Sequence, residues 1–126
     1  MVSETDLVTS PRRYLTLNIM ASRREKIQAM LVEEPGDTFL RYSLAMELDK
    51  EGDHETSLAE LHELYSLTPP YIPAFFMAGQ QLAKLNRLDE SRSVLRTGVE
   101  QAQIQGDSHA ASEMTEFMAA LGSSGE

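Results

Sequence analysis

From residue 23 onward apolar residues recur three and four positions apart, and none of the segments they mark has the strict alternation of a half-buried strand. The interruptions are regular. Helix breakers and weak helix formers at Pro35, Gly52, Pro69, Asn86 and Gln103, with Gly106 close behind the last, fall 17 residues apart. Each interval is of helical length and carries one apolar stripe. Residues 23–33 place Ile27, Met30 and Leu31 on one face, and residues 38–50 do so with Leu40, Leu44, Ala45 and Leu48. Residues 54–67 carry Leu58, Leu61, Leu64 and Tyr65; residues 72–85 carry Phe75, Ala78, Gly79 and Leu82. Residues 88–102 offer Leu88, Leu95, Val99 and Ala102, and residues 108–121 offer Ala110, Met114, Phe117, Met118 and Leu121. The pattern predicts an all-α chain of about six helices and no sheet.

The boundaries have chemical causes. Pro35 and Pro69 cannot donate to a helical ladder, and each disfavours helix in the residue before it. Gly52 suits a left-handed helix end, after which Asp53 is placed to cap the next helix. Glu55 then sits in the first turn, where the helix dipole favours negative charge. Asn86, followed by Asp89 and Glu90, repeats the device, and Gly106-Asp107-Ser108 makes a third stop-and-cap signal. Connections this short force successive helices into antiparallel hairpins. Two intervals of 17 make a 34-residue echo, which a simple helix bundle does not require and a stacked array does.

In residues 38–71 the echo includes Leu44-Ala45, Leu48, Ser57, Leu61 and Pro69; in residues 72–105 it includes Phe75, Ala78-Gly79, Leu82, Ser91, Leu95 and Gly98. Ile27, Met30 and Pro35 precede Leu61, Leu64 and Pro69 by the same 34 residues. This pattern resembles the tetratricopeptide repeat, with about two full repeats behind a preceding half repeat. The resemblance covers about residues 23–105, and the last segment reads as an amphipathic capping helix. Arg41 stands where the family has an aromatic, Leu64 where it has a small residue, and Gln103 where it has a closing Pro. The resemblance implies an antiparallel helix-hairpin solenoid whose small residues, Ala45 and Gly79, admit close approach of the paired helix.

It also implies a role in binding other proteins, with a partner peptide or helix lying in a concave groove lined by the first helix of each hairpin. Carried over position by position, the groove candidates from residues 38–50 are Phe39, Tyr42, Met46, Asp49 and Lys50. From the second repeat they are Phe76, Gln80, Ala83 and Lys84. Tyr42, Met46 and Phe76 make an aromatic and methionine strip suited to an apolar or mixed ligand. Family members that clamp a carboxylate tail place Lys and Asn where Tyr42 and Met46 stand here, so that ligand class is not expected. Tyr42 and Phe76 also suit packing against each other or under the last helix. Self-association into a homodimer is the alternative function, since a short array can stack or occlude its groove.

Composition narrows this further. The chain has 126 residues, enough for a single domain, and 41% of them are hydrophobic. No apolar run approaches the roughly 20 residues that cross a bilayer. A net charge of −9, with 11 basic residues scattered among 20 acidic ones, argues against nucleic acid. The basic cluster Arg23-Arg24 with Lys26 is offset by Glu25, Glu33 and Glu34. There is no cysteine, so disulfide and thiolate chemistry are excluded, which fits a cytoplasmic setting. Ser10-Pro11-Arg12-Arg13 superficially resembles a twin-arginine export signal, but the short stretch behind it contains Thr16 and Asn18 and meets a second basic block.

Catalytic chemistry is not expected. His62-Glu63 begins like the zinc-protease motif, yet Ser66 stands where the second ligand belongs. His54 and His62 are eight residues apart, too far to share an ion, and these two and His109 read as surface or hairpin-packing histidines. No phosphate loop, cofactor site or nucleophile–base arrangement is legible. Residues 1–22 are expected to form a weakly ordered leader, with no repeat signal over 1–19 and Met20-Ala21-Ser22 a natural translation start. The folded domain is expected over 23–121, followed by a flexible tail over 122–126.

Overall fold

A computed structural model describes residues 22–123. Six helices follow one another: α1 (Arg23–Glu33), α2 (Thr38–Lys50), α3 (His54–Tyr65), α4 (Ile72–Lys84), α5 (Leu88–Ile104) and α6 (Ser108–Ser123). There is no strand among the described residues. Each helix packs on its neighbour in sequence, and α6 also reaches back to α4. The leader expected over 1–22 lies outside the described residues except for Ser22. Ser22 forms a capping box, its hydroxyl accepting from the Glu25 N–H while the Glu25 carboxylate accepts from the Ser22 N–H. Of the expected tail, Gly122 and Ser123 belong to α6, and residues 124–126 are likewise not described.

Three helices stop by the same hydrogen-bonded device. At the end of α2 the Gly52 N–H donates to the Asp49 carbonyl and the Asp53 N–H to the Leu48 carbonyl. Asn86 and Arg87 repeat both bonds onto Ala83 and Leu82, and Gly106 and Asp107 repeat them onto Gln103 and Ala102. Gly52, Asn86 and Gly106 take positive φ values of 88°, 61° and 78°, the left-handed turn this motif needs. Asn tolerates that turn better than most side chains, which is why Asn86 can stand in the register position of Gly52.

Several boundaries differ from expectation. Gln103 does not interrupt its helix, because Gln is a good helix former, and α5 runs on to Ile104 until Gly106 stops it. The third helix ends at Tyr65 rather than 67, ahead of Thr68, whose peptide bond to Pro69 is cis. Asp53 occupies a capping position without a side-chain capping bond, whereas Asp37 and Asp107 do cap, accepting from the N–H groups of Leu40 and Ala110.

The 34-residue echo appears as repeated contact. The Ser57 hydroxyl donates to the Ala45 carbonyl at 2.6 Å, and the Ser91 hydroxyl to the Gly79 carbonyl at 2.7 Å. Both bonds are buried, and each ties the second helix of a hairpin to the first. Ile27, Leu61 and Leu95 are buried at matching positions of α1, α3 and α5; so are Leu48 and Leu82 of α2 and α4. The register is broken where Arg41 replaces the aromatic: Phe75 is a core residue, whereas Arg41 turns to Glu63 of α3 at 2.8 Å. The two arginines of the α1 basic cluster pair across to α2 and its C-cap rather than with Glu25, Glu33 or Glu34, Arg23 with Glu47 at 2.8 Å and Arg24 with Glu51 at 3.4 Å.

The core is strung along the array in three clusters. Ile27, Leu44 and Leu48 join α1 to α2; Ala45, Leu61, Leu64, Ala74 and Ala78 join α2, α3 and α4. Phe75, Leu95, Ala102 and Met114 join α4, α5 and α6, with Ile72 and Ala111 alongside. Between α2, α4 and α6 a cavity forms against the last of these clusters, with Ile72 and Met114 at its floor.

Candidate partner-binding groove

A cavity of about 240 Å³ opens where α2, α4 and the start of α6 converge. Pro73 in the first turn of α4 sets that helix going without needing an N–H bond, and Ile72, Phe76, Met77 and Gln80 follow along one face of the helix. Tyr42 comes from α2, while α6 and its cap contribute Asp107, His109, Ala110, Glu113 and Met114. Ile72, Phe76, Met77, Ala110 and Met114 give the cavity an apolar lining, and its carboxylates come from the α6 side.

Tyr42 and Phe76 serve the groove and the packing together. Tyr42 is half-buried against Tyr71, ring centroids 5.7 Å apart, and Phe76 meets Phe117 of α6 edge-on at 5.7 Å. Burial pushes the Tyr42 phenol up from its ordinary value, and neighbouring Tyr71 adds to the shift. Tyr71 is raised by burial and then by the Asp37 carboxylate. Both phenols therefore remain neutral hydrogen-bond donors at physiological pH.

Of the nine residues expected to line a groove, the structure brings Tyr42, Phe76 and Gln80 into this cavity. Phe39 is displaced one turn towards α1 and lines a different hollow of about 220 Å³ with Arg23, Lys26, Ile27 and Met30. Asp49 is engaged by the His54 ring at 2.7 Å, at the α2–α3 turn. Lys50 is exposed at the end of α2, near Glu47 at 3.7 Å. Met46, Ala83 and Lys84 do not line the cavity. Sequence reasoning missed the whole contribution of α6, although the apolar spacing of Ala110 and Met114 was a usable signal.

A larger and more open trough, about 410 Å³, lies along α3 and α5, over Leu58, Ala78, Leu82 and Val94. Its rim charges are already committed: Arg87 bonds Glu55 at 2.6 Å and also holds Glu90. That hydrogen bond keeps the Glu90 carboxyl below the usual carboxylate range. A charged ligand there would first have to break these pairs, which makes the smaller groove the better candidate despite its size. Among the described residues, no three His, Asp or Glu side chains converge as metal ligands, and no helix is long and apolar enough to cross a membrane.

No protein-family model matches the chain, and no curated protein matches it. A Bordetella parapertussis protein solved in solution by a structural-genomics consortium is similar in structure, with a TM-score of 0.70 and 23% identity. The likeness covers 82% of this chain and 90% of that one. The fold is shared. At that identity the comparison speaks to the helical architecture alone.

Proposed function

We propose that this protein is a non-catalytic interaction module of the tetratricopeptide type, which holds a segment of a partner protein in the groove between α2, α4 and α6. The observation that carries the reading is the convergence of Tyr42, Phe76 and Gln80 with Met77, Ala110 and Met114 around one cavity. Aromatic and methionine side chains of this kind act as anchors, since they offer large contact area and adapt to what they meet. The 34-residue register of the buried serine bonds supports the family assignment. A cytoplasmic setting belongs to the same reading, on the lack of cysteine.

The test is a displayed peptide library panned against the full chain. Selected peptides are expected to shift the amide resonances of Phe76, Gln80 and Ala110. Gln80→Trp, which fills the groove mouth, is expected to weaken them by more than about tenfold, roughly 1.4 kcal/mol, with an unchanged melting temperature. Peptides that move only the resonances of Leu58 and Val94 would place binding in the opposite trough and overturn the reading. A second reading, self-association, is favoured by the exposure of Met30, Val32 and Phe39 near the α1 end. Sedimentation at micromolar concentration separates the two, a monomer excluding the homodimer.

A further inference from the structure

We propose that the segment bound in this groove is basic: one large apolar side chain inserted into the cavity, flanked by Lys or Arg. The inference rests on the reading of the groove as a protein-binding site and adds the chemistry of what binds. Size sets the first half. A cavity of about 150 Å³ accepts a benzene ring, and small-molecule sites begin at about 300 Å³. At about 240 Å³ the groove matches a single Phe, Leu or Met side chain and is small for a cofactor. Ile72, Phe76, Met77 and Met114 supply its apolar contact.

Charge sets the second half. The cavity lining includes the carboxylates of Asp107 and Glu113 and neither Lys nor Arg. One Asp107 oxygen is used by the Ala110 N–H, and one Glu113 oxygen by His109 at 2.9 Å, a ring that is itself exposed. Each carboxylate keeps a second oxygen for an incoming cation at the rim of the apolar groove. The trough on α3 and α5 differs in that its own Arg87 already neutralises Glu55 and Glu90, whereas no such cation lines the groove. The net charge of −9 acts in the same direction at long range, attracting basic segments and repelling acidic ones.

The experiment uses the full chain and labelled designed peptides that differ only around a central Phe, flanked by Lys in one and by Glu in the other. Fluorescence anisotropy is expected to show the Lys peptide binding at least about tenfold more tightly, a preference that shrinks as salt is raised. Replacing the central Phe by Gly is expected to abolish binding; retained binding would reduce the effect to unspecific charge attraction and overturn the proposal. D107N with E113Q keeps the α6 cap, since Asn caps as well as Asp. This double variant is expected to erase the preference at an unchanged melting temperature. A preference that survives it would remove the rim carboxylates from the argument. Equal binding of both peptides, with resonance shifts at Phe76 and Ala110, overturns the basic segment and leaves the groove standing. Binding mapped outside the groove defeats both readings, and no binding of either peptide defeats the basic segment.

Discussion

Replacing Gly79 by Leu is expected to lower the melting temperature by roughly 5–20 °C, through an overpacking penalty of about 1–3 kcal/mol. Even a Cβ at Gly79 would stand 2.5 Å from Leu95 Cδ2 and 2.6 Å from its Cγ. Leu95 is fully buried and meets the added carbon with its Cγ as well as both Cδ atoms, so relief requires the Leu95 side chain to repack or α5 to move away from α4. Any movement of α5 would pull on the bond from the Ser91 hydroxyl to the Gly79 carbonyl, which ties the two helices together. The better helix propensity of Leu offsets only about 1 kcal/mol of this. Gly36→Ala is the control, because nothing lies within 4 Å of the added carbon and the backbone there is not left-handed. Thermal melts of both variants decide the matter. Unchanged stability in Gly79→Leu would mean that the α4–α5 interface is not packed as described.

Phe75→Ala is expected to lose about 3–5 kcal/mol of stability, because Phe75 is the largest fully buried side chain among the described residues. The ring stacks on Tyr65 with centroids 4.8 Å apart and planes inclined at 21°. It is 1% exposed, and it fills the space beside Gly98, where an added Cβ would meet Phe75 Cβ at 2.7 Å. Removing it leaves a cavity that Leu95, Ala102 and Met114 border but cannot close, since each is held by its own helix. Phe39→Ala supplies the contrast: 64% exposed, that ring should contribute close to nothing. Urea titration measures both. A loss below about 1 kcal/mol at Phe75 would put the ring outside a close-packed core.

These two residues also show what the chain discloses about itself. Gly79 was legible as a packing position because the 34-residue echo aligns it with Ala45. Phe75 was legible instead from the helical stripe it shares with Ala78 and Leu82, its register partner Arg41 having left the core for Glu63. Helix starts were legible at α2 to α6, where proline, glycine or asparagine acts on the backbone within a residue or two, and at α1 from where the repeat periodicity begins. Helix ends were less so: Gln103 falls on the regular spacing yet lacks any property that stops a helix. The groove was only partly legible. Register predicts which face of α2 or α4 a residue occupies, so Tyr42, Phe76 and Gln80 were found. It does not predict how far along the face the cavity extends, so Phe39 and Lys84 were included though they lie beyond it. The wall from α6 belongs to no repeat, and the pairing of Asp49 with His54 arises from a turn geometry that spacing does not encode.

Packing between sequence neighbours has a kinetic consequence. Almost every contact in the array is closed by a short loop, so little chain entropy opposes its formation, and folding can begin at any hairpin and spread outward. The converse holds for opening. Among the described helices α1 packs chiefly on α2, whereas α4 is held by α3, α5 and α6. Amide protons should therefore exchange in a gradient, fastest in α1 and slowest in α4 and α5. The groove, built on α4, then sits in the last part of the molecule to open, while the α1 end can come away without disturbing it.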